Sequence, residues 1–280
     1  MIDKSNDIIT ILGANGFVGS NMAKKLKSTG YKVRGVIRKQ REIDYEIDEI
    51  KKINYQDSEQ LEKALQNSTI VINAIGIIRE KSGNYFYDTH VNLVRKVVQI
   101  CEKYKIKLIH ISALGTTEKA ITEYYRTKFE AEKIIRSSIC DFIILRPGII
   151  WADNCDFVKI LRSLQILKIR AIPQTNSTFN IIEIDKLTEI IQTIIEKDIF
   201  NNETYEVAEE VDYTLEALMD KAEIEKLIIK IPIPIVLIEL ISKLHFSFLP
   251  SEGEIKMLKN GVKATDFRIF EILNRLKENQ

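Results

Sequence analysis

The first two-thirds of the chain alternate short apolar runs with amphipathic stretches. Ile8–Leu12, Lys32–Ile37, Ile50–Asn54, Thr69–Ile75, Lys107–Ile111 and Phe142–Arg146 are short and rich in β-branched residues, as strands buried on both faces are. Between them, Val18–Ser28, Ser58–Leu65, Phe86–Tyr104 and Glu123–Arg136 carry apolar residues at helical spacing. Repeated strand–helix–strand units predict an α/β protein with a doubly wound parallel sheet. Ligands of such sheets bind at the carboxyl ends of the strands. After Pro147 the regularity declines. The pattern there predicts a helix near Phe157–Leu167, a strand near Phe179–Ile182, a helix over Ile184–Ile195 with Asp185 as its N-cap, and a strand at Thr204–Val207. The expected organisation is a core of residues 1–150 continued by 179–210. A small, partly helical C-terminal lobe then comprises 151–178 and 211–280.

Ile231–Leu249 is strongly apolar, but Pro232, Pro234, Glu239, Lys243 and His245 interrupt it. A membrane span needs about 20 mostly apolar residues. A loop followed by an amphipathic helix over roughly 235–246 is the expectation. That helix either packs on the protein's own core or offers a surface to a membrane or a partner subunit.

Composition adds bounds. Across 280 residues, 45% hydrophobic and 29% charged content suits a globular protein with a sizeable core. A formal net charge of +1 gives no global field that would select nucleic acid. Cys101, Cys140 and Cys155 have no C-x-x-C spacing and no neighbouring His, so neither a metal nor a disulfide is expected. No basic segment followed by an apolar one opens the chain, which predicts a cytoplasmic protein with reduced thiols, or one peripheral to a membrane.

The chemistry begins at Ile8-Ile-Thr-Ile-Leu-Gly-Ala-Asn-Gly-Phe-Val-Gly19. Gly13 suits the tight turn that leaves a strand. Gly16 lets a pyrophosphate approach the backbone, and Gly19 lets the next helix pack close, with its N-terminal N–H groups facing the anion. The spacing G-x-x-G-x-x-G between strand and helix predicts a bound dinucleotide. At the end of the second strand stands Val36-Ile37-Arg38-Lys39-Gln40-Arg41. Arg38 takes the place where an acidic residue would hold a ribose 2′-hydroxyl, and its guanidinium suits a 2′-phosphate. NADP(H) is therefore expected over NAD(H). Tyr124 and Lys128, four residues apart, share one helix face. An ammonium beside a phenol lowers the phenol's pKa and equips it for proton transfer at a carbonyl or carbinol.

Taken together, Gly13-Ala-Asn-Gly-Phe-Val-Gly19, Asn73-Ala-Ile-Gly76, His110-Ile-Ser-Ala-Leu-Gly115, Tyr124-x-x-x-Lys128 and Arg146-Pro-Gly148 resemble the short-chain dehydrogenase/reductase superfamily over roughly residues 8–207. The block Val71–Lys128 is most similar to the atypical branch containing the NADPH-binding accessory subunit of respiratory complex I and its bacterial relatives. The resemblance implies a Rossmann-type fold and a set of roles. Gly13, Asn15, Gly16, Phe17, Val18 and Gly19 would line the pyrophosphate and Arg38 would meet the 2′-phosphate. Asn54 and Tyr55 would sit by the adenine, and Ala74, Ile75 and Gly76 would flank its ribose. Lys128 would hold the nicotinamide ribose, and Pro147 would begin the segment covering the nicotinamide.

Two departures from the superfamily stand out. Catalytic members carry a hydroxyl after the fifth strand. Here Ser112 is nearest, whereas the working hydroxyl of many active relatives falls one or two positions later, at Ala113 or Leu114; Thr116 or Thr117 would serve if the loop folds back. Glu183 and Asp185 stand where relatives carry an aromatic or His before a Val-x-Asp step. His90, His110 and Trp151 are expected to pack, with Trp151 as an alternative roof over the nicotinamide. The leading expectation is hydride transfer at a small carbonyl or carbinol, with Tyr124 as acid/base, Lys128 as its electrostatic partner and Ser112 as the third catalytic group. The alternatives are a non-catalytic NADPH-holding accessory or assembly factor, and a sugar-nucleotide epimerase or dehydratase.

Overall fold

Apolar strands and amphipathic helices follow one another as the pattern requires. The computed structural model describes residues 2–39, 43–81, 83–163, 165–166, 169–222, 229–242 and 251–278. The core runs β1 (Ile8–Leu12), α1 (Phe17–Ser28), β2 (Lys32–Ile37), β3 (Glu49–Lys52), α2 (Ser58–Leu65), β4 (Ile70–Asn73), a π-helical segment (Tyr87–Asn92), α3 (Leu93–Tyr104), β5 (Lys107–Ile111), α4 (Glu123–Arg136) and β6 (Phe142–Pro147). It continues with β7 (Ile149–Trp151), α5 (Asp156–Ser163), β8 (Gln165–Ile166), β9 (Ile169–Gln174), β10 (Thr178–Phe179), β11 (Ile181–Glu183), α6 (Ile184–Glu196) and β12 (Glu203–Val207). The remaining elements are β13 (Tyr213–Thr214), α7 (Leu215–Lys221), β14 (Ile229–Pro234), α8 (Ile235–Ser242), α9 (Glu252–Asn260) and α10 (Arg268–Glu278).

Seven strands form one parallel sheet in the order β12-β6-β5-β4-β1-β2-β3. The chain reverses direction across the sheet between β1 and β4, which opens a crevice at their carboxyl ends. Alternate residues of each strand serve opposite faces. Ile9 and Ile11 pack with Met22, Ala23 and Leu26 of α1, with Leu187, Ile190 and Ile194 of α6, and with Ile269 of α10. Leu12, Val71, Leu108 and Ile144 pack with Leu61 and Leu65 of α2, Val94 and Val97 of α3, and Ala131 and Ile135 of α4. Each fully buried Leu, Ile, Val or Met among these contributes about 1.5–3 kcal/mol. A separate cluster, with Trp151, Val158, Leu161, Phe179, Leu215, Leu218 and Leu258, gathers the short elements beyond β6.

Several boundaries move. The expected strand Ile50–Asn54 is Glu49–Lys52, and Thr69–Ile75 shortens to Ile70–Asn73, so Ala74–Gly76 lie beyond its carboxyl end. Phe86–Tyr104 is not one α-helix: the π-helical turns come first, and they set His90 against Thr127 of α4 at 2.9 Å. The helix expected near Phe157–Leu167 stops at Ser163 and strand β8 follows; Leu167 lies outside the described residues. Phe179–Ile182 divides into β10 and β11. Asp185 is not an N-cap. Glu183 holds that position with extended backbone and no side-chain bond to the helix N-terminus, while Asp185 sits in the first turn, where its charge suits the helix dipole. Residues 229–234 form no loop: β14 pairs in parallel with β9 at a sheet edge, where Pro232 and Pro234 are tolerated. The helix after it is Ile235–Ser242, and 243–249 lie outside the described residues.

Among the described residues, no helix is long and apolar enough to cross a membrane. Cys101, Cys140 and Cys155 are free and buried. Burial pushes the Cys101 and Cys140 thiols up from their ordinary range.

Candidate functional site

The glycine loop is built by close backbone approach. Gly13, at φ +79°, lies in the left-handed region, and a Cβ there would meet the Ile75 side chain at 3.0 Å. The Gly13 and Ala14 N–H groups both donate to the Val36 carbonyl, at 2.9 and 3.3 Å, and the Gly16 N–H donates to the Gly13 carbonyl at 2.8 Å. A Cβ on Gly19 would fall 2.2 Å from the Gly13 oxygen. Gly19 therefore seats α1 against the turn and is buried behind the loop rather than lining a cavity. At the start of α1, Gly16 offers no side-chain cap and the first turn holds no acidic residue. By contrast Asp57 caps α2 and Thr122 caps α4. The N-terminus of α1 is thus left for an external anion.

Around this loop two cavities of about 320 and 790 Å³ adjoin, sharing Asn15, Gly16 and residues 74–77. Gly13, Arg38 and Tyr55 line the smaller one, while Phe17, Val18, Ser112, Tyr124, Lys128 and Pro147 line the larger. Arg38 is exposed, and its Nη1 donates to Asn84 Oδ1 at 3.2 Å. Asn15 donates from Nδ2 to the Lys39 carbonyl (2.9 Å), and the Tyr55 hydroxyl donates to the Val36 carbonyl (3.0 Å). These two side chains therefore shape the loop after β2. Asn54 is not brought to either cavity; its Oδ1 accepts from the Gln56 N–H at 3.1 Å. Gln40 and Arg41 lie outside the described residues.

Tyr124 and Lys128 do come to one cavity, but the expected lowering of the phenol pKa is absent. Burial pushes the Tyr124 phenol well up, and Tyr125 adds to the shift. Burial also lowers Lys128 to about 8, with Glu132 opposing. The Lys128 ammonium donates to the Ile111 carbonyl at 2.9 Å, at the end of β5. Tyr124 lies edge-on to Phe86, His90 and Tyr125, with ring centroids 6.0, 5.6 and 5.1 Å away.

Ser112 is occupied elsewhere. Its hydroxyl donates to Glu132 Oε1 at 2.6 Å. The fully buried Glu132 also accepts from Arg146 Nε (2.9 Å) and Nη2 (2.6 Å) and from Arg136 Nη1 (2.9 Å). Thr116 does not replace it, being buried without lining the cavity.

His90 accepts the Ile77 N–H at Nε2 (3.3 Å), so its proton sits on Nδ1, toward Thr127. Burial and then Lys128 hold this ring neutral, with its pKa down to about 2. His110 faces Asn73 Nδ2 at 3.2 Å. Trp151 is buried beside Phe157 in the outlying cluster and does not roof the cavity. The sequence reading missed Glu132, Asn84 and the contact role of His90. The spacing Tyr124–Lys128–Glu132, one stripe of α4, was the available signal for Glu132. Among the described residues, no group of side chains could hold a metal ion.

An open parallel sheet with a glycine turn and an uncapped helix at its switch point defines a dinucleotide-binding protein. The profile of the family described as NAD(P)H-binding matches residues 13–161, more than half of the chain, and the chain belongs to that family. Over 160 residues it is 29% identical to the mitochondrial NADH dehydrogenase (ubiquinone) 1 alpha subcomplex subunit 9 of Dictyostelium discoideum, covering 54% of this chain and 45% of that one. Over 167 residues it is 29% identical to the Mus musculus protein of the same name, covering 55% and 44%. The match thus spans less than half the length of these relatives. Among solved structures, the UDP-glucose 4-epimerase of Thermus thermophilus in complex with NAD superposes with a TM-score of 0.67 at 16% identity, covering 95% of this chain and 92% of that one. That likeness is one of fold. The resemblance to the short-chain dehydrogenase/reductase superfamily and its complex I branch is borne out.

Proposed function

We propose that the protein holds NADP(H) as a standing ligand without turning it over, as an accessory or assembly component of a respiratory complex. The observation that carries this reading is the engagement of Ser112 by Glu132. A short-chain dehydrogenase polarises its substrate oxygen with a hydroxyl at this edge of the sheet, and loss of one such donor costs about 10²–10³ in rate. Here the hydroxyl proton points into a buried ion network, and Ala113 and Leu114 follow it.

The raised Tyr124 phenol supports the same reading, because a phenol above its ordinary range is a weaker acid and is less often ionised to serve as a base at neutral pH. Gly13, Gly16 and the start of α1 suit the pyrophosphate, Arg38 the 2′-phosphate, and Lys128 the nicotinamide ribose. Phe17, Val18, Ala74, Ile75, Gly76, Tyr55 and Pro147 would supply the walls. Bound NADP(H) would supply a hydride donor or acceptor. The similarity to complex I subunits favours contact with a larger complex, and Ile231–Ser242 is the segment we assign to it. A second reading, hydride transfer by Tyr124 and Lys128, is favoured by their shared cavity.

One experiment separates the two. The nucleotide retained by the purified protein is identified after denaturation, and the native protein is then offered a panel of aldehydes, ketones and alcohols while nicotinamide absorbance is followed. NADPH or NADP⁺ that stays bound and unchanged is the expected result. Sustained oxidation or reduction by any member of the panel overturns the accessory reading.

A further inference from the structure

The larger cavity has a side that a nicotinamide ribose does not explain. Beyond Tyr124, Leu114, Tyr125, Ile149, Phe157, Phe179 and Met257 wall it. They come from the loop after β5 and from α4, β7, α5, β10 and α9, so five separate elements and a loop converge on one apolar surface. Most are partly buried rather than fully exposed, as the walls of a cleft are.

The charges around this side are already used. Among the described residues, the cations lining the cavity are Lys24, Lys128 and Lys159. Lys24 pairs with Asp44 at 3.4 Å, Lys159 with Asp156 at 2.9 Å, and Lys128 donates to the Ile111 carbonyl. Glu254, in the same wall, binds Arg79 at 2.6 Å. A nucleotide sugar brings a diphosphate that calls for Arg or Lys, and here it would have to draw each of these lysines from its present partner. The wall helix α9 packs on α8, where Val236, Leu237 and Leu240 are 66%, 46% and 62% exposed.

The geometry points to a second binding site: the side of the cavity walled by α5, β10 and α9 takes a long apolar chain with a small uncharged head, whose oxygen lies toward Tyr124. The inference rests on the reading of the glycine-loop end as the NADP(H) site. The whole cavity, its cofactor end included, measures about 790 Å³, within the range of about 300–1,000 Å³ usual for small-molecule sites.

Trp151 is the chain's one tryptophan and its ring centroid lies 6.5 Å from that of Phe157, so it reports on this wall. A terminally brominated dodecanol, added to the full chain as purified, should quench Trp151 fluorescence saturably. Unbrominated dodecanol should reverse the quenching and UDP-glucose should not. Phe157→Asp and Met257→Asp should each weaken binding about tenfold or more, whereas Phe157→Leu, which keeps the wall apolar, should stay within about threefold of the parent. Thermal unfolding of each variant verifies its fold. Absent saturable quenching in the parent protein, displacement by UDP-glucose, or unchanged binding in both folded Asp variants overturns the proposal. Nucleotide content is read separately in the same samples. Loss of NADP(H) with quenching intact counts against the cofactor reading alone, and retained NADP(H) without quenching counts against the chain site alone.

Discussion

Replacing Glu132 with Ala should be among the most damaging single changes to this core. The carboxylate is fully buried and accepts four hydrogen bonds, one from Ser112, two from Arg146 and one from Arg136. The Arg146 side chain is 18% exposed, so its charge would remain largely desolvated with no partner. Breaking a buried ion pair on one side costs about 3–5 kcal/mol. Arg136 adds little, because its side chain is 34% exposed and screened, as exposed pairs worth about 0–1 kcal/mol are. Set against a total stability of about 5–15 kcal/mol, this is a large fraction. In a chain of this size it corresponds to a fall in Tm of roughly 6–10 °C, at about 2 °C per kcal/mol. Urea unfolding followed by circular dichroism checks it. Glu132→Gln, which keeps shape and acceptor oxygen but loses charge, should fall between. Joint replacement Glu132→Leu with Arg146→Met should recover most of the loss, since the penalty lies in the stranded charge. A loss below about 1 kcal/mol in Glu132→Ala, with an unchanged urea slope, would refute the reasoning.

Other predictions concern single groups. Ser112→Ala should cost about 1 kcal/mol of stability and leave NADPH binding unchanged; if any turnover exists and falls about 10²-fold or more, Ser112 is catalytic after all. Arg38→Ala should weaken NADPH by about 10- to 100-fold and leave NADH unaffected, as titration of both will reveal; an equal loss for the two sinks the 2′-phosphate role. Lys128 falls from its ordinary 10.5 to about 8, so between those values the unfolded chain binds more protons and stability should rise with pH. The parent protein should gain on the order of 3 kcal/mol relative to Lys128→Met across that window, with the burial cost fully present below about pH 8. A flat difference would contradict it. Gly19→Ala should push α1 away from Gly13, reducing stability by about 1–3 kcal/mol along with dinucleotide affinity; calorimetric binding at unchanged affinity would count against the packing role.

The sheet was readable because strands buried on both faces announce themselves as unbroken apolar runs, as in Ile70–Asn73. The glycine turn was readable because its geometry admits few residues. What a pattern cannot carry is burial and partner choice. Tyr124 and Lys128 stand in the expected spacing, yet the protein around them raises the phenol instead of lowering it. Ser112 and Glu132 are 20 residues apart and meet only because β5 and α4 are packed together. The π-helical turns at Tyr87–Asn92 keep the amphipathic spacing of an ordinary helix and so escaped notice. Asn54 turns its side chain to the Gln56 N–H while its neighbours Tyr55 and Gln56 line the smaller cavity.

The three buried cysteines make the molecule its own stopwatch. Cys101, on α3, and Cys140, just before β6, lie in the layer between the helices and the sheet, and Cys155 lies in the outlying cluster that carries the cleft wall. A thiol shut inside a core reacts with an external reagent only when its surroundings open, so its labelling rate measures how often they do. Cys155 lines the larger cavity, so its labelling would time access to that cavity, while Cys101 and Cys140 time the opening of the sheet. A ligand lodged against Phe157 should slow the first clock and leave the other two running as before.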